Sequence, residues 1–259
     1  MRTSPTVRAP HRWFSQWFCD YAAKRLQKNF HRVRLLGDWP EAVPATVPVV
    51  IYGNHASWWD PLVGLAAKPI FFPDREAYAP IDAAMLERYG IFKNLGFFGV
   101  EQNSARGAIS FLDQAEDILR RPGALLFVTP QGRFADVRER PLAFQRGIAH
   151  LAGRVPEAWF LPLAMEIAYW EESKPEILLH LAPPVRFSPE TPRESVLAEL
   201  ERSLETAMDQ LAAASVARQT DAFRDIFIGT AGVGGIYDFW RTLKARLTGR
   251  TINLHHGNR

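Results

Sequence analysis

The chain has 259 residues, of which 47% are hydrophobic and 23% charged, with a formal net charge of +3. These proportions fit one globular domain with an ample core and room for terminal additions. A single cysteine, Cys19, excludes a disulfide framework and fits a reducing compartment, and no uninterrupted apolar run approaches the ~20 residues that span a bilayer.

The modest net charge hides an uneven distribution. Residues 1–34 carry Arg2, Arg8, Arg12, Lys24, Arg25, Lys28, Arg32 and Arg34 against Asp20 alone, and residues 236–259 carry five basic residues against Asp238. The ends are basic and the body is acidic. Residues 1–10 lack the apolar core of a secretion signal. Trp13, Phe14, Trp17, Phe18, Tyr21, Leu26 and Phe30 then advance mostly by three or four, which predicts an amphipathic helix. Bulky aromatics beside Lys24 and Arg25 are the composition of a helix at an anionic membrane surface, although such a stripe also packs onto a protein's own core. We therefore expect Trp13, Trp17, Phe18, Lys24 and Arg25 to touch membrane. Nucleic acid is not expected as a partner, because no recognition motif accompanies the basic ends.

Three prolines in 37–48 make a stiff connector, and the apolar run 47–52 reads as a strand. Directly behind it stands Asn54-His55-Ala56-Ser57-Trp58-Trp59-Asp60-Pro61. In one regular helix, His55 and Asp60 would face roughly 140° apart. Asp60-Pro61 reads instead as an N-cap followed by the first helical residue, with His55 in the turn before it and able to fold back. A carboxylate on one imidazole nitrogen fixes the tautomer and leaves the other nitrogen as a base. Spacing alone leaves open whether Asp60 merely caps. Ser57 lacks a nucleophile elbow and reads as a turn residue.

Further strands are expected at 69–72, 97–100, 124–128, 159–167 and 177–181, and helices at 61–67, 81–89, 105–121, 144–153 and 193–214. This alternation predicts an α/β fold, a mixed sheet covered by helices, with basic amphipathic helices at both ends. The expected division is a membrane-surface helix over 1–36, an α/β domain over 37–218, and a Gly-rich hinge with a second basic helix over 219–259. That last helix carries Ile236, Phe239, Trp240, Leu243 and Leu247. His150, His255 and His256 lack the spacing of a metal site, so no metal is expected.

Four segments in order resemble the glycerolipid acyltransferase family, the lysophosphatidate acyltransferase-like enzymes. The first, from Asn54 to Asp60, resembles N-H-x-S-x-x-D. The second is Leu95-Gly96-Phe97-Phe98-Gly99-Val100-Glu101-Gln102, followed by Ser104-Ala105-Arg106-Gly107. The third, Phe127-Val128-Thr129-Pro130-Gln131-Gly132-Arg133-Phe134, resembles F-P-E-G-T-R, and Phe144-Gln145-Arg146-Gly147 trails it. Trp159-Phe160-Leu161-Pro162-Leu163-Ala164 resembles the fourth. Together they cover residues 48 to about 170.

The resemblance implies that His55 is a general base toward an acceptor hydroxyl and that Asp60 orients it. It implies a donor that is an acyl thioester of coenzyme A or acyl carrier protein, no bound cofactor, and a peripheral site on the cytoplasmic face of a membrane. It also places Asn54, Ser57, Glu101, Gln102, Arg106, Pro130, Gln131, Gly132 and Arg133 around the substrate, with oxyanion donors near Gly132 or the start of the Pro61 helix. The departures concern the acceptor. Gln102 and Phe134 stand where the family has arginines that grip the acceptor's phosphate, and Gln131 replaces a glutamate. A glycosylated lipid, carotenoid or amino-lipid acceptor thus stands beside the lysophospholipid one. Thioester hydrolysis and non-catalytic lipid binding are the alternatives of another class.

Overall fold

The structure is a computed structural model, and it describes residues 7–38 and 43–229. The expected Gly-rich hinge, the last amphipathic helix and His255-His256 lie outside the described residues.

Helix α1 (Arg12–Asn29) opens the described chain, followed by β1 (Arg32–Leu36), β2 (Val49–Gly53), α2 (Asp60–Phe71), β3 (Ala77–Asp82), α3 (Ala83–Arg88) and β4 (Phe97–Val100). Then come α4 (Ala105–Leu119), β5 (Leu125–Val128), α5 (Gly147–Arg154), β6 (Trp159–Ala168), β7 (Glu176–Leu181), α6 (Arg193–Val216) and β8 (Phe223–Ile228). The strands form one eight-stranded sheet in the order β4-β3-β5-β2-β6-β7-β1-β8. From β4 to β6 neighbours run parallel, whereas β6–β7 and β1–β8 are antiparallel, so the sheet is mixed.

Helices cover both faces, which is why every residue of β2 is buried. Val50 and Tyr52 point into one core with Leu112, Ile118 and Leu151 of α4 and α5 and Leu200, Leu204 and Leu211 of α6. Val49 and Ile51 point into the other, with Ala22 and Leu26 of α1 and Val63 and Ala66 of α2. Each fully buried leucine in these layers contributes about 1.5–3 kcal/mol relative to exposure. Helix α4 shows the local logic. Ser104 accepts from the Gly107 amide at 2.9 Å as its N-cap, Leu112, Ala115, Ile118 and Leu119 recur on one face, and Pro122-Gly123 follows its end.

Several elements differ from the sequence reading. Residues 69–72 are not a strand: Pro69 lies inside α2, which runs on to Phe71. The strand in that part of the chain is β3, whose Pro80 falls beyond Tyr78, where pairing with β5 has ended and β4 alone is the neighbour. Helix α3 is shorter than expected because Asp82 caps it, accepting from the amides of Ala84 and Met85 at 3.0 and 3.1 Å.

The ends of the sheet also redraw the expected division of the chain. The N-terminal helix stops at Asn29, and residues 32–36, assigned to the surface helix, form β1 between β7 and β8. Strand β8, expected to lie beyond the α/β domain, completes the same sheet. Two arginines hid β1. Arg34 is nonetheless buried, because its guanidinium pairs with Glu176 at 2.7 Å and lies 5.0 Å over the Trp170 ring.

Helix α1 divides its stripe between the core and the surface. Cys19, Ala22 and Leu26 face the core, while Trp13 and Trp17 are 73% and 52% exposed, and Lys24 and Arg25 point outward. Phe18 is half-buried and packs edge-on against Phe92 at 6.4 Å. Phe30 lies past the helix end, edge-on against Trp59 at 4.9 Å. Among the described residues no helix is long and apolar enough to cross a membrane.

Candidate active site

Strands β2 and β5 run parallel side by side, Tyr52 opposite Val128, so the loops that follow them leave at the same edge of the sheet. Open α/β sheets build their sites at this carboxyl edge. The loop after β2 carries His55 and the loop after β5 carries Thr129 to Phe134, and the two are tied through the backbone. The His55 amide donates to Gln131 Oε1 at 3.2 Å, and the His55 carbonyl accepts from the Ala135 amide at 2.9 Å. Asn54 fixes the strand end from the other side. Its amide donates to the Met165 carbonyl and accepts from the Met165 amide, both at 2.9 Å, extending the β2–β6 ladder past Gly53.

His55 folds back onto Asp60, with Nδ1 2.8 Å from Oδ2. Asp60 is 1% exposed and its same oxygen accepts from the Ser57 amide at 3.1 Å. An ionised carboxylate can only accept, so Nδ1 carries the proton and Nε2 of the neutral ring keeps its lone pair. Asp60 is the first residue of α2 rather than its cap, and its carboxylate reaches back to the turn instead of forward to the helix amides. Ser57 Oγ accepts from the Trp59 amide at 3.1 Å, which closes that turn.

His55 lines a cavity of 1690 Å³ that extends from the loops beneath α2 toward α1 and the short 3-10 turn before β4. Its deep wall is hydrocarbon, including Phe18, Ile51, Phe71, Leu125, Leu163 and Leu179. At the mouth, Trp58, Met85, Tyr89, Ile109 and Phe134 are all exposed, an apolar rim around an apolar interior.

The residues expected around substrate divide into two groups. Glu101, Gln102, Pro130, Gly132 and Arg133 line the cavity. Asn54, Ser57, Gln131 and Arg106 do not. The first three are consumed in building the His55 turn, and Arg106 points to solvent from the first turn of α4. Gly132 occupies φ +67°, a left-handed conformation suited to glycine, and its amide donates to the Thr129 carbonyl at 3.0 Å. Of the backbone amides near Gly132 named as candidate oxyanion donors, that of Gly132 itself is engaged within the turn.

Arg133 lines the mouth but is engaged. Its guanidinium forks onto both oxygens of Glu139, one contact at 3.2 Å and the other closer, and holds that carboxyl below the usual range. Two residues of the site were not among those expected around the substrate. Phe134 stacks on the His55 ring, centroids 4.2 Å apart and planes at 27°, while remaining 57% exposed. Arg146 lines the cavity at the start of α5, and among the described residues its guanidinium has no partner. Phe134 was marked only as a departure from the family's arginine at that place, and Arg146 only as a member of the segment that trails the third block.

Fold and site define an α/β protein in which a histidine held by a buried aspartate opens on a large apolar cavity. The Acyltransferase family profile matches residues 38–166, a span that holds both loops and most of the sheet. That span is about half of the chain, which belongs to the Acyltransferase family and is an acyltransferase. The crystal structure of the 1-acyl-sn-glycerophosphate acyltransferase PlsC from Thermotoga maritima is similar to it, with a TM-score of 0.54 and 14% sequence identity over 78% of this chain and 82% of that one. That likeness is one of fold. No curated protein sequence matches the chain.

Proposed function

We propose that this acyltransferase moves a fatty acyl group from an acyl thioester to a hydroxyl of a lipid acceptor, with His55 as general base. The observation that carries this reading is the 2.8 Å contact between His55 and the buried Asp60 at the mouth of the apolar cavity. A thioester is already activated, so catalysis needs deprotonation of the alcohol, alignment, and stabilisation of the oxyanion. His55 Nε2 takes the hydroxyl proton as the oxygen attacks the carbonyl carbon. Asp60 stabilises the imidazolium, which returns the proton to the departing thiolate. The hydrocarbon wall between α2 and the sheet suits the acyl chain, and no covalent enzyme intermediate is required.

Purified protein given a labelled acyl thioester of coenzyme A or carrier protein, with and without hydroxyl lipids, tests the reaction class. Label is expected in an ester of the lipid. Release of free acid at the same rate with or without lipid would instead identify a thioester hydrolase.

Gln131 supports the base by holding its backbone. Gln131→Leu leaves the His55 amide unpaired and is expected to lower kcat about tenfold, with less effect on KM. Gln131→Glu keeps the accepting oxygen and should retain more activity. Equal rates for the two variants would show that this bond does not position His55.

We further propose that the protein docks peripherally on an anionic membrane. In support, exposed Trp17 and Tyr21 form one ring cluster with Phe18 and Phe92, the latter packs on Tyr89 of the cavity rim, and Trp13, also exposed, stands one helical turn before Trp17. Exposed Lys24 and Arg25 flank it. The double change Trp13→Ala with Trp17→Ala is expected to lower partition into anionic vesicles about tenfold. Thermal stability should barely move, because neither ring is buried. Undiminished sedimentation with vesicles would exclude this helix as the contact.

A further inference from the structure

The chemistry around His55 also bears on which hydroxyl lipid is accepted, an inference that rests on the transferase reading. To give up its proton, the acceptor oxygen must come within hydrogen-bond reach of His55 Nε2. The atoms next to that hydroxyl then touch whatever surrounds the imidazole.

That surrounding is apolar or already neutralised. Phe134 covers one face of the His55 ring and presents its own open surface to the mouth, where Trp58 is also exposed. Arg133, the cation next in sequence, has its fork filled by Glu139, and Asp136 close by is paired with Arg138. Gln131 is buried and bonded to the His55 amide. Glu101 and Gln102, on the opposite loop, offer one negative and one neutral side chain. A phosphate a few bonds from the reacting hydroxyl would lose water against Phe134 without gaining a counter-charge, which is unfavourable.

The partner-free cation among the described arginines of the cavity lining is Arg146. Coenzyme A and carrier-protein thioesters both bring phosphate on the pantetheine arm, a group that an open guanidinium suits. We infer that Phe134 fits this site to an uncharged hydroxyl lipid, and that the anion recognised by the enzyme belongs to the donor. Phe134 and Glu139 are then specificity-determining residues: the first by presenting hydrocarbon to the acceptor, the second by occupying Arg133.

The test compares three acceptors with matched acyl chains in the same mixed micelles: a monoacylglycerol, a monoglycosyl lipid and lysophosphatidate. Wild-type kcat/KM is expected to favour the uncharged pair over lysophosphatidate by at least about tenfold, a difference that one unpaired anion readily produces. Phe134→Arg adds a guanidinium beside the base, and Glu139→Ala frees Arg133. Each is expected to shift the ratio toward lysophosphatidate by about tenfold, whereas Phe134→Leu keeps the uncharged preference. Arg146→Ala should raise the KM for donor by the same factor with every acceptor. Equal use of the two classes, preference for lysophosphatidate, or loss of transfer in Arg146→Ala confined to lysophosphatidate overturns the inference and leaves the transferase reading intact. Free acid with every lipid removes both.

Discussion

His55→Ala is expected to lower kcat for transfer by about 10²- to 10⁴-fold, the range a positioned general base contributes. The side chain lies at the cavity mouth, outside both hydrophobic cores, in contact with Asp60 and Phe134. Folding and vesicle binding should therefore persist, and thermal melts alongside turnover separate lost chemistry from lost structure. Asp60→Asn is the companion change. The carboxylate oxygen now accepts from both His55 Nδ1 and the Ser57 amide. An asparagine oxygen could keep these bonds but would bring no charge to steady the imidazolium, and its NH₂ group could instead select the wrong tautomer. A loss of about 10²-fold or more is expected, with the melting temperature changed less than by Asp60→Ala. Turnover of His55→Ala within about tenfold of wild type would falsify the base assignment.

Asn54→Ala is expected to be strongly destabilising, at about 2–5 kcal/mol. Asn54 is 2% exposed, and its amide acts as two further rungs between β2 and β6 by pairing with both backbone groups of Met165. Alanine leaves a buried N–H and a buried C=O without partners, at about 1–3 kcal/mol each. For a domain of this size that corresponds to a fall in melting temperature of roughly 5–15 °C. Asn54→Asp keeps the acceptor but turns a carboxylate oxygen toward the Met165 carbonyl, so it should be worse than alanine at neutral pH. Because His55 is the next residue, kcat should fall in both variants even well below the melt. A loss of stability under about 0.5 kcal/mol, the level of ordinary surface substitutions, would mean that water or a backbone shift replaces both bonds.

Much of the architecture was legible because it is local. The run 47–52, the capped α4 and the long α6 announce themselves by period and punctuation, and their alternation implies an α/β sheet. The turn holding His55 was legible too, since Asp60-Pro61 starts a helix and leaves His55 outside it. Strands β1 and β3 were not. Each carries a residue that argues against a strand, Arg34 in one and Pro80 in the other, and each is tolerated only because of a neighbour: Glu176 and Trp170 for the arginine, and the end of β5 pairing for the proline.

The sequence by itself determined the family resemblance, the proposed His55–Asp60 pair and the order of most elements, because these are carried by strings and spacings a few residues long. Tertiary structure decided what each side chain is free to do. Parallel pairing of β2 with β5 brings Gln131 to the His55 amide and Phe134 onto the His55 ring, across a gap of more than 70 residues. It likewise commits Asn54 to Met165 and Arg133 to Glu139, leaving Arg146 as the open arginine of the cavity. A motif specifies which groups are present. Which of them still has an unfilled hydrogen bond or an exposed face depends on the neighbours that folding supplies, and so does the selection of substrate.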